Sequence, residues 1–307
     1  MKMIEIHHTD IQKLALVHYE AIEEHLKKKR INKFNTINNW FLNNGLKINL
    51  KDAIIAPFAE LKKIKESYSR VASQEDIMYL KKVYNNYFSK SNTFLGTKEY
   101  TSSKLVKSLG IRVCPYCNRN YINNIEYGAK GLKRTSQLDH FFSKDKYPFL
   151  AMSFFNLIPS CPSCNHTKHN KEISLSPYDQ NHDFDELLKF DYRIHSSNYL
   201  EDENEIEVMI ITDKIIEKNI EILGLESQYK IHNDVVFELV KKSKMYSASQ
   251  IKEIKNNFPD LFNDEEEVLR VVFGTSLNSS NFNKRPLSKL QRDIFLKLQN
   301  QQGLFKQ

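Results

Sequence analysis

Apolar residues recur at helical spacing along the first hundred positions of the chain. The three stripes are Ile11, Leu14, Ala21 and Ile22; Ile54, Phe58, Leu61 and Tyr68; and Ile77, Leu80, Tyr84 and Tyr87. Residues three or four apart share one face of a helix, so each stripe predicts an amphipathic helix with a buried face. Residues 1–103 are therefore expected to form a helical N-terminal region. Small and polar residues predict loops near 43–45 and 89–96.

The pattern changes at about Cys114 to short strands and loops. Tyr121-Ile122 and Gln137-Leu138 are predicted strand pieces on either side of a glycine turn at 128–131. Farther on, residues 166–171 could open a short helix. Residues 104–178 are therefore expected to form a small α+β core.

Residues 179–307 show a mixed but mostly helical pattern. Residues 205–211 predict a strand, and residues 215–223 and 231–240 predict helices. Pro286, followed by apolar residues at helical spacing, predicts a terminal helix with proline in its first turn. The expected fold class is thus mostly α with a small α+β core.

Charge is distributed unevenly along this 307-residue chain. Its net charge is +7, yet the segment from Lys104 to Lys171 has 11 basic residues against three acidic ones, and the remainder has 34 against 35. A local basic surface attracts a phosphate backbone, although a solvated basic face without a partner would give the same pattern. The N-terminus has no apolar signal region and no run of about 20 apolar residues occurs, so we expect a cytoplasmic protein with no membrane partner.

The four cysteines form two Cys-x-x-Cys pairs, Cys114/Cys117 and Cys161/Cys164, with 43 residues between the pairs. Each pair can curl around one side of a tetrahedral Zn²⁺, and two pairs complete a closed structural site. A redox-active dithiol is the alternative, but it normally uses a single pair. We therefore expect one structural Zn²⁺ with a substantial segment looped out between its ligands.

The looped-out segment carries an ordered set of polar residues. Asp139-His140 is followed by Asn156 and then by the run Cys161–Lys168. This arrangement resembles the zinc-ribbon branch of the HNH endonucleases, also called ββα-metal or His-Me finger nucleases, over roughly Arg112 to Lys171. The resemblance implies a zinc-stapled ββα-metal HNH nuclease core flanked by helical regions. It also implies hydrolysis of phosphodiester bonds in nucleic acid.

Phosphodiester hydrolysis needs an activated water and stabilisation of developing negative charge. His140 is the expected general base, because a neutral imidazole can take the proton of the attacking water. Asp139 is expected to bind a catalytic Mg²⁺ or Mn²⁺. By resemblance, Asn165 would complete that metal site and Asn156 would hold the loop that orients His140. The chain departs from the usual pattern because His166 follows Asn165, so either residue could be the ligand.

Lys168 and His169 are expected phosphate contacts, although a solvated basic helix end would have the same composition. DNA is favoured as the substrate because it is the commoner one among similar proteins, and RNA is possible because water-driven hydrolysis makes no use of a 2′-hydroxyl. Two alternatives stay open. One is a non-catalytic zinc module that binds nucleic acid, and the other is a toxin-like HNH nuclease that cleaves RNA.

A finer resemblance covers the runs 114–119 and 149–156 together with 285–290. These runs are similar to HNH subunits of bacterial anti-phage systems, and the Septu type is the nearest. In that type the nuclease subunit pairs with an ATPase. The resemblance therefore implies a defence effector that a partner protein, such as an ATPase subunit, controls.

Overall fold

The computed structural model of the protein describes residues 5–6, 8–29, 31–69, 75–90, 100–128, 131–274 and 276–302. Within these ranges, the residues up to Tyr116 and Asn120–Asn181 form one compact unit, and Cys117–Arg119 and the residues from His182 onward form a second. The structure is 56% helical with small antiparallel sheets, which confirms the expected mostly α class. The region boundaries at residues 103 and 178 stay a prediction.

The described helices of the first unit are α1 (Ile11–Lys29), α2 (Ile31–Asn43), α3 (Leu50–Ile55), α4 (Phe58–Tyr68), α5 (Glu75–Val83), α6 (Ser102–Ser108) and α7 (Pro162–Lys168). The three stripes predicted α1, α3, α4 and α5, whereas no stripe predicted α2, α6 or α7. The second stripe spans two helices, because Ala56 precedes Pro57 and lies at ψ 126°. A residue before proline is disfavoured in the α conformation, so the chain breaks there. The third stripe continues from α5 into a π-helical turn, Tyr84–Phe88.

Two short hairpins complete the first unit. Strands β1 (Asn124–Glu126) and β2 (Leu132–Arg134) pair antiparallel, as do β3 (Gln137–His140) and β4 (Leu157–Ser160). The strand predicted at 137–138 is confirmed and extends to His140. The strand predicted at 121–122 is wrong in position, since Tyr121 makes only an isolated bridge to Val113 and β1 begins three residues later.

Aromatic side chains fill the core between the first helices and the loop after β3. The Trp40 and Tyr68 rings lie 5.3 Å apart, and Phe149 lies 5.9 Å from Tyr68. The Tyr68 hydroxyl also donates to the Phe41 carbonyl at 2.9 Å. The N-terminal helices therefore support the loop that follows Asp139-His140. The predicted loop at 89–96 lies mostly outside the described residues.

The second unit combines a hairpin with helices. Strands β5 (Leu188–Ile194) and β6 (Ile206–Thr212) pair antiparallel in a seven-residue register. The helices are α8 (Phe184–Leu187), α9 (Lys214–Leu223), α10 (Leu225–Lys230), α11 (Asn233–Met245), α12 (Ala248–Asn257), α13 (Glu265–Phe273) and α14 (Ser288–Gln302). The strand predicted at 205–211 and the helix predicted at 215–223 are confirmed. No helix in the described ranges is long and apolar enough to cross a membrane.

The predicted start of the terminal helix is wrong, because Leu287 has φ 59° and α14 begins at the next residue. Helix α14 is held by buried charges. Lys289 and Arg292 both bond to Asp185 and to Asp293, and the Asp293 carboxylate also accepts from the Phe190 amide at 3.0 Å. Each charge has opposite partners, so the cluster leaves no unpaired charge inside the second unit.

Candidate functional site

A cavity of about 780 Å³ opens in the first unit where β3, the loop after it and α7 converge. His140 and Asp139 line it from β3, Asn165 and His166 line it from α7, and His169 lines it from the position just after α7. The structure thus brings five of the predicted site residues to one cavity. Its wall also includes Tyr84, Arg134 and Lys144, which the sequence analysis did not single out.

His140 is the last residue of β3 and is buried. Its Nε2 lies 3.0 Å from the Ala151 carbonyl oxygen, which can only accept, so Nε2 carries the proton and Nδ1 keeps a lone pair. The Tyr84 ring packs edge-on against the imidazole, with centroids 4.4 Å apart. Burial lowers the pKa of His140 to about 3. The imidazole is therefore neutral at physiological pH.

Asp139 is bonded on both carboxylate oxygens. The Tyr116 hydroxyl donates to Oδ2 at 2.6 Å, and the Lys168 ammonium lies 3.0 Å from Oδ2 and 3.1 Å from Oδ1. The same ammonium donates to the His140 carbonyl at 2.8 Å. Burial raises the pKa of Asp139, while Lys168 and Tyr116 favour its ionised form. Burial also raises the Tyr116 pKa far above its usual value, so the phenol stays a donor.

The prediction that Lys168 contacts phosphate is wrong. Its side chain is 1% exposed, and its ammonium is occupied by Asp139 and the His140 carbonyl. The physical reason is that Asp139 is itself 4% exposed and needs an internal cation. Lys168 lies in the last turn of α7, and its side chain contacts Asp139 and the His140 carbonyl of β3.

Asn156 is completely buried and clamps the loop after His140. Its Oδ1 accepts from the Phe142 amide at 2.8 Å, and its Nδ2 donates to the carbonyls of Phe142 and Leu150, both at 3.0 Å. One side chain therefore ties both ends of the loop that contains Ser143 to Tyr147. These are the contacts that a loop-holding role requires.

Asn165 lies on the cavity side of α7, and its Nδ2 donates to the Gln137 side chain at 2.6 Å. His166 and His169 are exposed at the same rim. The choice between Asn165 and His166, and the phosphate contact of His169, stay predictions.

The partners of the Asp139 carboxylate determine whether a divalent cation can bind there. A hard cation needs a carboxylate oxygen that is open to it, and it is repelled by an ammonium on the same carboxylate. Both oxygens of Asp139 are held by Tyr116 and Lys168. As they lie, these residues do not fit a divalent cation at Asp139. The Mg²⁺ or Mn²⁺ requirement therefore stays a prediction.

The cysteines form a separate cluster. Cys114, Cys117, Cys161 and Cys164 are buried, and their sulfurs all lie within 4.8 Å of one another. Three of the sulfurs accept a hydrogen bond from a backbone amide. The Cys161 amide donates to Cys114 Sγ at 3.3 Å, the Arg119 amide to Cys117 Sγ at 3.4 Å, and the Cys164 amide to Cys161 Sγ at 3.5 Å. Such donors stabilise thiolates, and four thiolates suit tetrahedral Zn²⁺. The cluster could therefore hold a structural zinc ion.

No other group of three His, Cys, Asp or Glu side chains in the described ranges could hold a metal ion.

Cys161 also caps the N-terminus of α7, with Pro162 as its first residue. The predicted helix start at 166 is therefore four residues late. The signal was Cys161-Pro162 itself, since proline is favoured at the first helical position.

No protein-family model matches the chain, and no curated protein or solved structure matches it either. The likeness to HNH nucleases therefore rests on the sequence motif alone and stays a prediction.

Proposed function

We propose that the protein hydrolyses phosphodiester bonds of nucleic acid, as an HNH-type nuclease in which His140 is the general base. The observation that carries the proposal is the neutral, oriented imidazole of His140 in the wall of an open cavity. Nδ1 is the only ring nitrogen of His140 with a lone pair to offer, because Nε2 donates to Ala151. Proton abstraction from water requires such a lone pair.

In this reaction a water oxygen attacks phosphorus while Nδ1 of His140 takes the proton. The new P–O bond forms as the ester P–O bond opposite it breaks, and the departing alkoxide takes a proton from solvent. The imidazole becomes a cation, which strengthens its hydrogen bond to the Ala151 carbonyl. Asn156 and Lys168 position the base by holding the loop and the His140 carbonyl.

The finer predictions complete the proposal. A zinc ion bound by the four cysteines would tie the start of α7 to the segment that contains Cys114 and Cys117. A dependence on Mg²⁺ or Mn²⁺ is proposed from the resemblance, and no step above uses that ion. Control by a partner protein, such as the ATPase subunit of an anti-phage system, is likewise proposed from the resemblance.

The test is a cleavage assay with plasmid DNA and with total RNA, each with Mg²⁺, with Mn²⁺ and with EDTA. It uses the protein alone and the protein purified from its native host, so that a controlling partner is retained. His140→Ala should lose about 10²–10⁴-fold in rate with an unchanged circular dichroism spectrum. His195→Ala is the matched control, since this exposed histidine lies outside the cavity.

The substrate arms separate DNA from RNA, and the EDTA arm tests the divalent cation. Cleavage by His140→Ala at the wild-type rate would show that the base is assigned wrongly. If neither preparation cleaves either nucleic acid, the nuclease proposal fails and the non-catalytic zinc module is favoured.

A further inference from the structure

The charged groups in the cavity wall do not cancel. The wall contains two carboxylates, Asp139 and Asp145, and two cations, Arg134 and Lys144. Each carboxylate already has its own lysine from outside this set: Lys168 lies 3.0 Å from Asp139, and Lys81 lies 2.7 Å from Asp145. Among the described residues, no carboxylate lies within ion-pair distance of Arg134 or Lys144. Counted over the described residues alone, the cavity wall and the lysines paired with it carry two more positive than negative charges.

Among the described residues, the hydrogen-bond partners of Arg134 are all neutral. Its Nε donates to the Ser102 hydroxyl at 3.0 Å, Nη1 to the Ser136 carbonyl at 2.7 Å and Nη2 to the Ser89 carbonyl at 2.6 Å. These bonds use three of the five N–H donors and leave the charge unmatched. Burial lowers the pKa of Arg134, which reflects the cost of keeping an unmatched cation partly desolvated. An anion in the cavity would remove that cost.

Lys144 lies on the loop that Asn156 clamps, four residues after His140. Its Nζ lies 5.6 Å from the centroid of the Tyr84 ring, the same ring that packs 4.4 Å from His140. Its charge also acts on both His140 and Asp139 and lowers the pKa of each. The ammonium therefore acts on the base and on the carboxylates of Asp139 and Asp145, but no described carboxylate lies within ion-pair distance of it.

We infer that Arg134 and Lys144 form an anion subsite that binds a backbone phosphate of the nucleic acid beside His140. The inference rests on the proposed function and deepens it, because it names the groups that contact the substrate. The guanidinium offers a planar pair of donors that suits phosphate oxygens, and the ammonium adds a mobile point charge. Together they stabilise the additional negative charge that develops on the phosphoryl oxygens during attack.

The test measures binding without catalysis, by fluorescence anisotropy of an end-labelled single-stranded DNA oligonucleotide and of its RNA counterpart. The buffer contains no added divalent cation, salt is varied, and a gel run afterwards confirms that the probe is intact. Lys144→Met should weaken binding at least about tenfold, the loss expected for one charge-assisted hydrogen bond. It should also reduce the slope of log K against log salt by about 0.7–0.9.

Lys146→Met is the matched control, because it removes the same charge two residues away from an exposed side chain outside the cavity wall. It should bind within about twofold of the wild type. Arg134→Lys, which keeps the charge and loses the planar fork, should bind more weakly than the wild type and melt at a similar temperature.

Equal affinities and salt slopes for Lys144→Met and Lys146→Met would overturn the subsite. The two proposals fail separately. A protein that binds in the expected pattern but cleaves no substrate retains the subsite and refutes the hydrolysis. A protein that cleaves, but whose Lys144→Met variant binds like Lys146→Met, retains the hydrolysis and refutes the subsite.

Discussion

Replacing Lys168 with Met tests the buried ion pair between Lys168 and Asp139 of β3. Methionine keeps most of the stem and removes the ammonium, which lies 3.0 Å from Asp139 and 2.8 Å from the His140 carbonyl. Both charged side chains are at most 4% exposed, so water cannot replace the lost partner. Removal of one member of a buried ion pair typically costs about 3–5 kcal/mol of unfolding free energy. We expect a loss in that range at pH 7.

Protonation of Asp139 limits how much unfolding free energy the Lys168→Met variant can lose. The variant can relieve its unmatched carboxylate by binding a proton, which costs roughly 4 kcal/mol at pH 7 for a group with an unfolded pKa near 3.9. The folded variant then binds one proton more than the unfolded chain, because the folded pKa of Asp139 lies above the unfolded value. Its unfolding free energy should therefore rise as pH falls, by about 1.4 kcal/mol per pH unit between pH 7 and roughly pH 5, relative to the wild type.

The assay is urea unfolding followed by circular dichroism at pH 5, 6 and 7. Lys171→Met is the matched control, since that lysine is exposed, and it should change stability by less than about 0.5 kcal/mol. The double variant Lys168→Met/Asp139→Asn removes both charges and keeps an acceptor for Tyr116, so it should recover most of the loss. A loss below about 1 kcal/mol for Lys168→Met at pH 7, or a loss that does not change with pH, would refute the reasoning.

Two further predictions concern the metal cluster and acid stability. Elemental analysis should find one Zn²⁺ per chain, and Cys161→Ala, which removes a thiolate and the cap of α7, should lower the melting temperature by about 10 °C or more; absence of zinc or an unchanged melting temperature would contradict this. Buried His18 donates from Nε2 to the Met152 carbonyl at 2.8 Å, and burial lowers its pKa to about 4. Because protonation favours the unfolded chain, His18 should contribute a stability loss of roughly 3 kcal/mol as pH falls from about 6.5 to 4. His18→Gln should lack that part of the pH dependence in urea unfolding, and an equal dependence in both proteins would contradict the assignment.

Local patterns were sufficient for features that depend on neighbours in sequence. The helical stripes predicted α1 and α9 because side chains three or four residues apart share a face. The two Cys-x-x-Cys pairs predicted the sulfur cluster because each pair needs only a tight turn to converge. Strand β3 was predicted at its first two residues, and its pairing with β4 extends it through His140.

The rest depends on contacts between distant segments. A lysine at the end of a basic helix is usually exposed, and only the burial of Asp139, 29 residues away, explains why Lys168 is not. Tyr84 belongs to a helical stripe and was expected to be core, yet its ring also forms part of the cavity wall beside His140. Arg134 ends strand β2, which is too short to predict from alternation, so nothing local connects it to His140.

The excess charge of the segment from Lys104 to Lys171 also takes on a different meaning in three dimensions. Its three acidic residues are all ion-paired: Glu126 with Lys107, Asp139 with Lys168 and Asp145 with Lys81. The summed charge therefore includes lysines whose fields are locally cancelled, and it does not indicate where an anion binds. The useful quantity is the charge left unmatched at one place, which in the cavity wall comes from Arg134 and Lys144. Because Lys144→Met and Lys146→Met change the total charge equally, any difference between them measures position rather than net charge.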